Sequence, residues 1–194
     1  MAGGEVRTKA RREAIVKTAA QLFQEMGYER ATMNELAKRV GGSKATLYGY
    51  FSTKDELFTA VVREHATMHL SEATAGLMTD TLTSETLDVQ LTRFGERILY
   101  VLTNDSSAMA IYRMVVAEAG HSDIGSLFYE SGPKENVDKL SELMAAAIAW
   151  QFLALLTAEI EDRIFHRHLQ PMSLERICEI VGDAVSMFMA GAAA

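Results

Sequence analysis

The chain has 194 residues and a mass of 21.4 kDa, enough for one ordinary domain or two small ones. Hydrophobic residues make up 48% and charged residues 23%, which excludes a chain too polar to bury a core. The formal charge of −7 hides an asymmetry: residues 1–63 hold 11 Lys and Arg against 7 Asp and Glu, whereas residues 64–194 hold 8 against 19. We expect only the basic end to face nucleic acid, because phosphate repels the acidic remainder.

The composition favours an all-α fold, because helix formers are plentiful and only Pro133 and Pro171 are prolines. A single cysteine, Cys178, excludes an internal disulfide and is expected to be a buried, inert thiol. The N-terminal segment has no apolar core of the signal-peptide type, and residues 143–160 contain too many polar groups for a membrane span. We therefore expect a cytoplasmic protein without membrane contact.

Four helices are predicted in the first third of the chain. The first runs from about Thr8 to Met26, because its apolar residues recur on one face. Thr32 with Glu35 predicts a capping box at the start of the second helix, and the pair Gly41 and Gly42 ends that helix.

Ser43 is the predicted N-cap of a short third helix, with Leu47 and Phe51 on its inner side. The fourth helix is predicted to open at Thr53, with Glu56 three residues later, and to continue to about residue 79.

The rest of the chain also has helical periodicity, interrupted at Gly120, Gly132 and the two prolines. Predicted helices span residues 84–104, 106–119, 122–131, 133–149, 150–168 and 173–191. No Gly, Pro or polar loop separates the fourth and fifth of these. Residues 133–149 and 150–168 are therefore two helices joined by a very tight turn, one long helix, or the flanks of a missing loop.

Residues 32–54 have the layout of a helix-turn-helix: two short helices and a tight turn that contains glycine. The second helix of this motif enters the major groove of DNA, and its N-terminal side chains contact base edges. Here those side chains offer hydroxyls, a cation and a small residue, followed by two tyrosines that can reach phosphate. Helix N-termini on either side provide further phosphate sites.

The segment GYERATMNELAKRVGGSKATLYGYFSTKDELF, residues 27–58, resembles the N-terminal domain of TetR-family transcriptional regulators. It departs from the family pattern at Val40 and Gly42, where Ala and Val are more usual. The resemblance implies an N-terminal three-helix DNA-binding domain, placed at residues 1–53, and a C-terminal helical domain for ligand binding and dimerisation, placed at residues 54–194. Carried over by position, the DNA contacts are Thr32, Ser43, Lys44, Ala45, Thr46, Tyr48, Tyr50 and Lys54.

The second domain is similar to that of AefR-like members, on the segments FGERILYVLTNDSSAMAIYRMVVAEA and LFYESGP. Aromatic and methionine side chains adapt to apolar ligands, although most such residues are ordinary core. The candidate ligand pocket comprises Phe94, Ile98, Met109, Tyr112 and Trp150. Two apolar stripes in the last two helices suggest a two-fold dimer interface. Its candidate residues are Leu153, Leu156, Ile160, Ile177, Val181 and Phe188.

Two histidine pairs, His65 with His69 and His166 with His168, have spacings that could hold a metal, but no cysteine pair supports either site. We predict no metal, no cofactor and no enzymatic activity, since no nucleophilic triad or phosphate loop is present. The expected function is a homodimeric repressor that binds an inverted-repeat operator in double-stranded DNA and is released by a small apolar effector. The alternatives are a DNA-binding architectural or activating protein without a ligand, and an enzyme with a vestigial helix-turn-helix.

Overall fold

The computed structural model describes residues 2–67, 86–144, 146–165 and 170–192 of the chain. All regular structure in these residues is helical, and α4 is followed by a π-helical turn, Arg63–Thr67. The helices are α1 (Ala2–Met26), α2 (Met33–Val40), α3 (Lys44–Tyr48), α4 (Lys54–Val62), α5 (Leu87–Asn104), α6 (Ser106–Glu118), α7 (Ile124–Glu130), α8 (Pro133–Leu143), α9 (Ala146–Phe165) and α10 (Leu174–Ala192). Within the described residues, no helix is both long and apolar enough to cross a bilayer. The all-α prediction is confirmed.

Side-chain caps set the starts of α2, α3 and α4. The hydroxyls of Thr32, Ser43 and Thr53 each accept a hydrogen bond from the backbone N–H three residues later, at 3.2, 3.0 and 3.0 Å. Gly41 ends α2 with a φ of 68°, a left-handed conformation that glycine adopts without strain. The predicted N-caps are therefore confirmed.

The carboxylates of the two predicted capping boxes have other partners. Glu35 pairs with Arg39 at 3.5 Å, on the next turn of α2. Glu56 accepts hydrogen bonds from the backbone N–H and the hydroxyl of Ser52, at 2.8 and 2.6 Å. These two bonds lower the pKa of the Glu56 carboxyl, the hydroxyl of Ser52 having the larger effect. The start of α4 is thus tied to Ser52 as well as to its own N-cap, Thr53.

The chain packs as two compact units that are not simple sequence halves. The first unit contains Met1–Thr67 and Ala110–Gly132, so that most of α6 and all of α7 belong with the N-terminal helices. The second contains Met68–Met109 and Pro133–Ala194. The functional division at residues 53 and 54 stays a prediction.

Aromatic packing holds α1, α4 and the turn after α1 together in the first unit. Phe23, Tyr28 and Phe58 are all buried, with ring centroids 5.1 to 5.6 Å apart. Such edge-on and tilted contacts stabilise a core beyond the area they bury. Leu36, Leu47 and the other inward residues of α2 and α3 complete this core.

In the second unit α5, α9 and α10 surround one hydrophobic core. Gly95 on α5 permits close approach, because a Cβ there would lie 3.0 Å from Leu156 Cδ2 and from Val181 Cγ1. The core includes the predicted dimer residues Leu156, Ile160, Ile177, Val181 and Phe188, and Leu153 packs against it half-buried.

This burial is that of the single chain, in which Leu156 and Val181 expose none of their surface. The choice of interface residues stays a prediction. Periodicity shows that a helix face is buried but not what covers it. Within one chain these stripes pack α9 and α10 into the core of the second unit.

Of the three alternatives for residues 133–168, the structure shows two helices joined by a short turn, and the break comes earlier than residue 149. α8 ends at Leu143 and α9 begins at Ala146, so the junction is a very short turn at Met144. The α-helical part of α4 ends at Val62, well before residue 79, and residues 68–85 lie outside the described part of the chain.

Candidate nucleic-acid interface

Helix α3 presents a row of solvent-exposed side chains above a single buried anchor. Leu47 is 3% exposed and joins the core of the first unit, whereas Tyr48 on the same helix is 42% exposed. The predicted contact residues Thr32, Ser43, Lys44, Ala45 and Thr46 are exposed as well, while Tyr50 and Lys54 are half-buried. Seven of these residues occupy α3, its immediate flanks and the start of α4, and Thr32 stands at the N-terminus of α2.

The hydroxyls at the start of α3 are hydrogen-bonded to one another. Ser43 Oγ and Thr46 Oγ1 are 2.8 Å apart, and Ser43 Oγ also accepts the N–H of Thr46. A hydroxyl both donates and accepts, so this pair can exchange its mutual bond for a base edge or a phosphate. Lys44 lies one residue further on, with its Nζ 5.7 Å from the centroid of the Tyr48 ring. The face thus joins hydroxyls, one cation and one phenol.

Lys54 is held inside its own unit. Its Nζ donates to the carbonyl oxygen of Tyr28 at 3.0 Å and lies 4.1 Å from the centroid of the Tyr28 ring. A phosphate contact by Lys54 would compete with both interactions. Its role in DNA binding stays a prediction.

Two arginines of α1 were not predicted as part of this region. Arg11 Nη2 donates to the carbonyl oxygen of Gly41 at 3.3 Å, and the Arg12 guanidinium lies 5.1 Å from the centroid of Phe51. A Cβ at Gly42 would lie 2.7 Å from Arg11 Nη2. Gly42, which departs from the family pattern, therefore leaves room for a guanidinium on the turn. Helical periodicity places both arginines on α1 but does not show which residues an arginine side chain reaches.

Family comparison covers most of the chain. Residues 15–61 match the model of bacterial regulatory proteins of the tetR family, and residues 89–191 match the AefR-like transcriptional repressor C-terminal domain. The second match alone spans more than half of the chain. The chain belongs to the TetR family. Family members are transcriptional regulators that bind DNA, not enzymes.

Individual TetR-family relatives agree at the N-terminal end. The transcriptional activator FasR of Mycolicibacterium smegmatis is 37% identical over 79 residues, which are 41% of this chain and 36% of FasR. The transcriptional repressor AcnR of Corynebacterium diphtheriae is 43% identical over 56 residues, 29% of this chain and 30% of AcnR. This chain thus matches about a third of the length of these curated relatives.

A solved TetR-type structure agrees over nearly the whole chain. The flavonoid-responsive regulator FrrA is 25% identical with a TM-score of 0.67, and the match covers 94% of this chain and 97% of FrrA.

The candidate ligand residues of this TetR-family chain are not gathered in one place within a unit. Phe94 and Ile98 are buried in the core of the second unit, and Met109 packs against it half-buried. Tyr112 belongs to the first unit, where its ring lies 6.1 Å from that of Phe128. Trp150 is 50% exposed. The grouping as a pocket stays a prediction.

Two open depressions lie on α5 in the second unit, away from the predicted pocket residues. One has a volume of about 280 Å³ and is lined by residues 97–106 of α5 and the start of α6, including Tyr100. The other, about 290 Å³, lies between Arg93, Arg97 and the first turns of α10. Cys178, predicted to be buried, is exposed here and its Sγ donates to Glu96 Oε1 at 3.4 Å. That carboxylate raises the pKa of the thiol.

The histidine pairs can be assessed only in part, because His69, His166 and His168 lie outside the described residues. His65 lies in the π-helical turn, and its buried Nε2 has no hydrogen-bond partner among the described residues. The described part of the chain holds no cluster of three metal-ligating side chains.

Proposed function

We propose that this TetR-family protein is a homodimeric repressor that binds an inverted-repeat operator and is released by a small, largely apolar effector. The observation that carries the proposal is the exposed row on α3 over the buried anchor Leu47. A helix held from below by one core residue can lie in the major groove while its exposed side chains contact the bases.

Lys44, Ala45 and Thr46 are the proposed base-reading residues, and Ser43 and Tyr48 the phosphate-contacting neighbours. Thr32, Tyr50 and Lys54 are proposed to position the motif on the backbone. Phosphate contacts fix the register of the protein, whereas base contacts select the sequence. A two-fold dimer would place two copies of α3 about 34–36 Å apart, one turn of DNA. The operator is therefore expected to be an inverted repeat.

Repression is proposed from the match to the C-terminal domain of AefR-like transcriptional repressors and from the similarity to AcnR, itself a repressor. FasR is a transcriptional activator, which supports activation as a second candidate function. In this alternative the chain is a DNA-binding regulator without a small ligand. The two candidates share the DNA-binding step and differ in whether a ligand changes it.

Effector binding is proposed in the C-terminal region, with Phe94, Ile98, Met109, Tyr112 and Trp150 as candidate contacts. FrrA, described as flavonoid-responsive, supports a planar, largely apolar molecule. Such a ligand can release DNA only if it binds one dimer geometry better than another. An aromatic and methionine-rich lining suits that chemistry.

The test begins with the duplexes that the wild-type protein selects from a random double-stranded library. Lys44→Ala should weaken binding to the selected duplex and reduce the log–log salt slope by about one per subunit, because the ammonium group of each Lys44 displaces about one counterion when it enters the groove of the DNA. Lys139→Ala, which removes a cation paired with Glu135 at 2.8 Å in the second unit, is the matched control and should leave the slope unchanged.

The same mobility-shift assay, repeated with a panel of flavonoids, separates the two candidates. Release of the duplex by any of them supports the ligand-responsive repressor. Binding that no compound alters favours the regulator without a ligand. A wild-type protein that selects no duplex contradicts both.

A further inference from the structure

The last residue of α6 is bonded to the turn that precedes the helix-turn-helix. Glu118 Oε1 accepts the backbone N–H of Tyr28 at 3.0 Å, and Glu118 Oε2 accepts that of Glu29 at 3.1 Å. One carboxylate thus takes two consecutive backbone donors. Hydrogen bonds to an ionised acceptor are the stronger kind.

The turn that Glu118 holds also packs against both α1 and α4. The Tyr28 ring packs between Phe23 and Phe58, its carbonyl oxygen accepts from Lys54, and its hydroxyl donates to Asp55. Every polar group of Tyr28 therefore has a partner on α4 or α6. Moving this residue would disturb the packing of both helices at once.

Gly27 leaves the space that the Glu118 carboxylate occupies. Its φ is 79°, and a Cβ at this position would collide with Glu118 Oε1. A glycine at the end of α1 thus meets two requirements, a left-handed backbone and room for an incoming carboxylate.

The turn held by Glu118 comes shortly before the start of α2. Thr32, the N-cap of α2, is four residues after Tyr28, so the turn sets where α2 starts and with it the position of α3. α6 itself begins at Ser106, in the second unit, and ends at Glu118, in the first. The last residue of α6, Glu118, therefore lies against the turn that precedes the helix-turn-helix.

We propose that Glu118 is a positioning residue for DNA recognition: it touches no DNA and fixes the turn at residues 27–29, from which α2 and α3 are placed. The inference rests on the proposed DNA-binding function. It adds that the affinity of α3 for DNA depends on a carboxylate at the far end of α6. A loosened turn lets α2 and α3 sample orientations that do not fit the groove.

The test uses the full-length protein with Glu118→Ala and Glu118→Gln, and Glu142→Gln on the exposed side of α8 as the control. Glu118→Ala should raise hydrogen exchange at the amides of Tyr28 and Glu29 at least tenfold, because both lose their acceptor. Affinity for the duplex selected by the wild type should fall by about tenfold, with an unchanged salt slope, since no phosphate contact is lost. Glu118→Gln keeps one neutral acceptor, and its effect should be intermediate.

Affinity is measured below the unfolding transition of each variant, so that a loss of stability alone does not change it. Unchanged affinity for Glu118→Ala overturns the inference, as does a drop in salt slope, which would make Glu118 part of the DNA contact. If Glu118→Ala does not fold, Glu118→Gln decides by the same two readouts. If the wild-type protein selects no duplex, both the proposed function and this inference are wrong. If both Glu118 variants bind the selected duplex as tightly as the wild type does, only this inference is wrong.

Discussion

At the scale of single residues, Tyr28 shows how a buried phenol is kept protonated. Burial has the largest effect and the Asp55 carboxylate, which accepts its hydroxyl, the next largest; both raise the pKa of Tyr28 well above its ordinary value of 10.0. The neutral form is the one that fits the site, because an ionised phenol would face the carboxylate with like charge.

Tyr28→Phe should lower the free energy of unfolding by about 1 kcal/mol at neutral pH, since the hydrogen bond to Asp55 is lost. Above pH 10 the unfolded wild type loses the Tyr28 proton while the folded state keeps it. The wild-type advantage is therefore fully present below pH 10 and shrinks above it, by up to about 1.4 kcal/mol per pH unit.

Urea unfolding from pH 7 to pH 11, followed by circular dichroism, measures this difference. Tyr48→Phe at an exposed position is the matched control and should follow the wild-type pH profile. A gap between wild type and Tyr28→Phe that is constant up to pH 11 would contradict the prediction.

At the scale of helices, local signals predicted most of what the structure contains. Thr32, Ser43 and Thr53 predicted the starts of α2, α3 and α4 because an N-cap side chain bonds within the first turn of its own helix, here to the N–H three residues later. The turn at Met144 carried no such signal, so the end of α8 was placed six residues too late and the start of α9 four residues too late. Contacts between distant segments, such as Glu118 with Tyr28, leave no local pattern either.

Helix packing in the second unit depends on Gly95. Gly95→Ala should lower the stability of the protein by about 1 kcal/mol. The new methyl group crowds Leu156 and Val181, and the free-energy cost of this crowding exceeds the gain in helix propensity. Gly182→Ala on α10, where nothing lies within 4 Å of the added Cβ, should raise stability by about 0.5–1 kcal/mol.

Chemical denaturation of the two single variants gives the comparison directly. Both gain the same intrinsic propensity, so the sign of the difference reports the close approach of α5 to α9 and α10. Equal stabilisation by both substitutions would contradict the prediction, because it would show that a methyl group at residue 95 fits without displacing its neighbours. Adding Val181→Ala to Gly95→Ala should recover part of the expected loss, since it removes one of the two crowded side chains.

At the scale of the whole molecule, the excess of positive charge and the helices proposed for dimerisation lie in different parts of the sequence. The excess of Lys and Arg lies in residues 1–63, while the acidic residues 64–194 hold the helices proposed for dimerisation. Among the described residues, α9 and α10 expose four large apolar side chains: Ile148, Trp150, Leu174 and Met187, at 38%, 50%, 66% and 65%. Trp150 and Met187 are the aromatic residue and the methionine of this group. Aromatic residues and methionine are enriched in subunit interfaces.

Trp150→Lys and Met187→Lys should each convert a dimer to monomers, because a buried unpaired ammonium opposes association across a two-fold axis where it is present twice. Sedimentation velocity measures the mass, and circular dichroism should show unchanged helix content. Phe188→Lys should instead unfold the second unit, since Phe188 is 9% exposed and its ring lies 5.1 Å from that of Phe152. Val116→Lys, at an exposed apolar position of α6 in the first unit, is the control and should remain dimeric. A Met187→Lys protein that stays dimeric would show that this face of α10 is not part of the interface. A folded monomer would show that α10 uses one face for the dimer interface and another for the core of its own subunit.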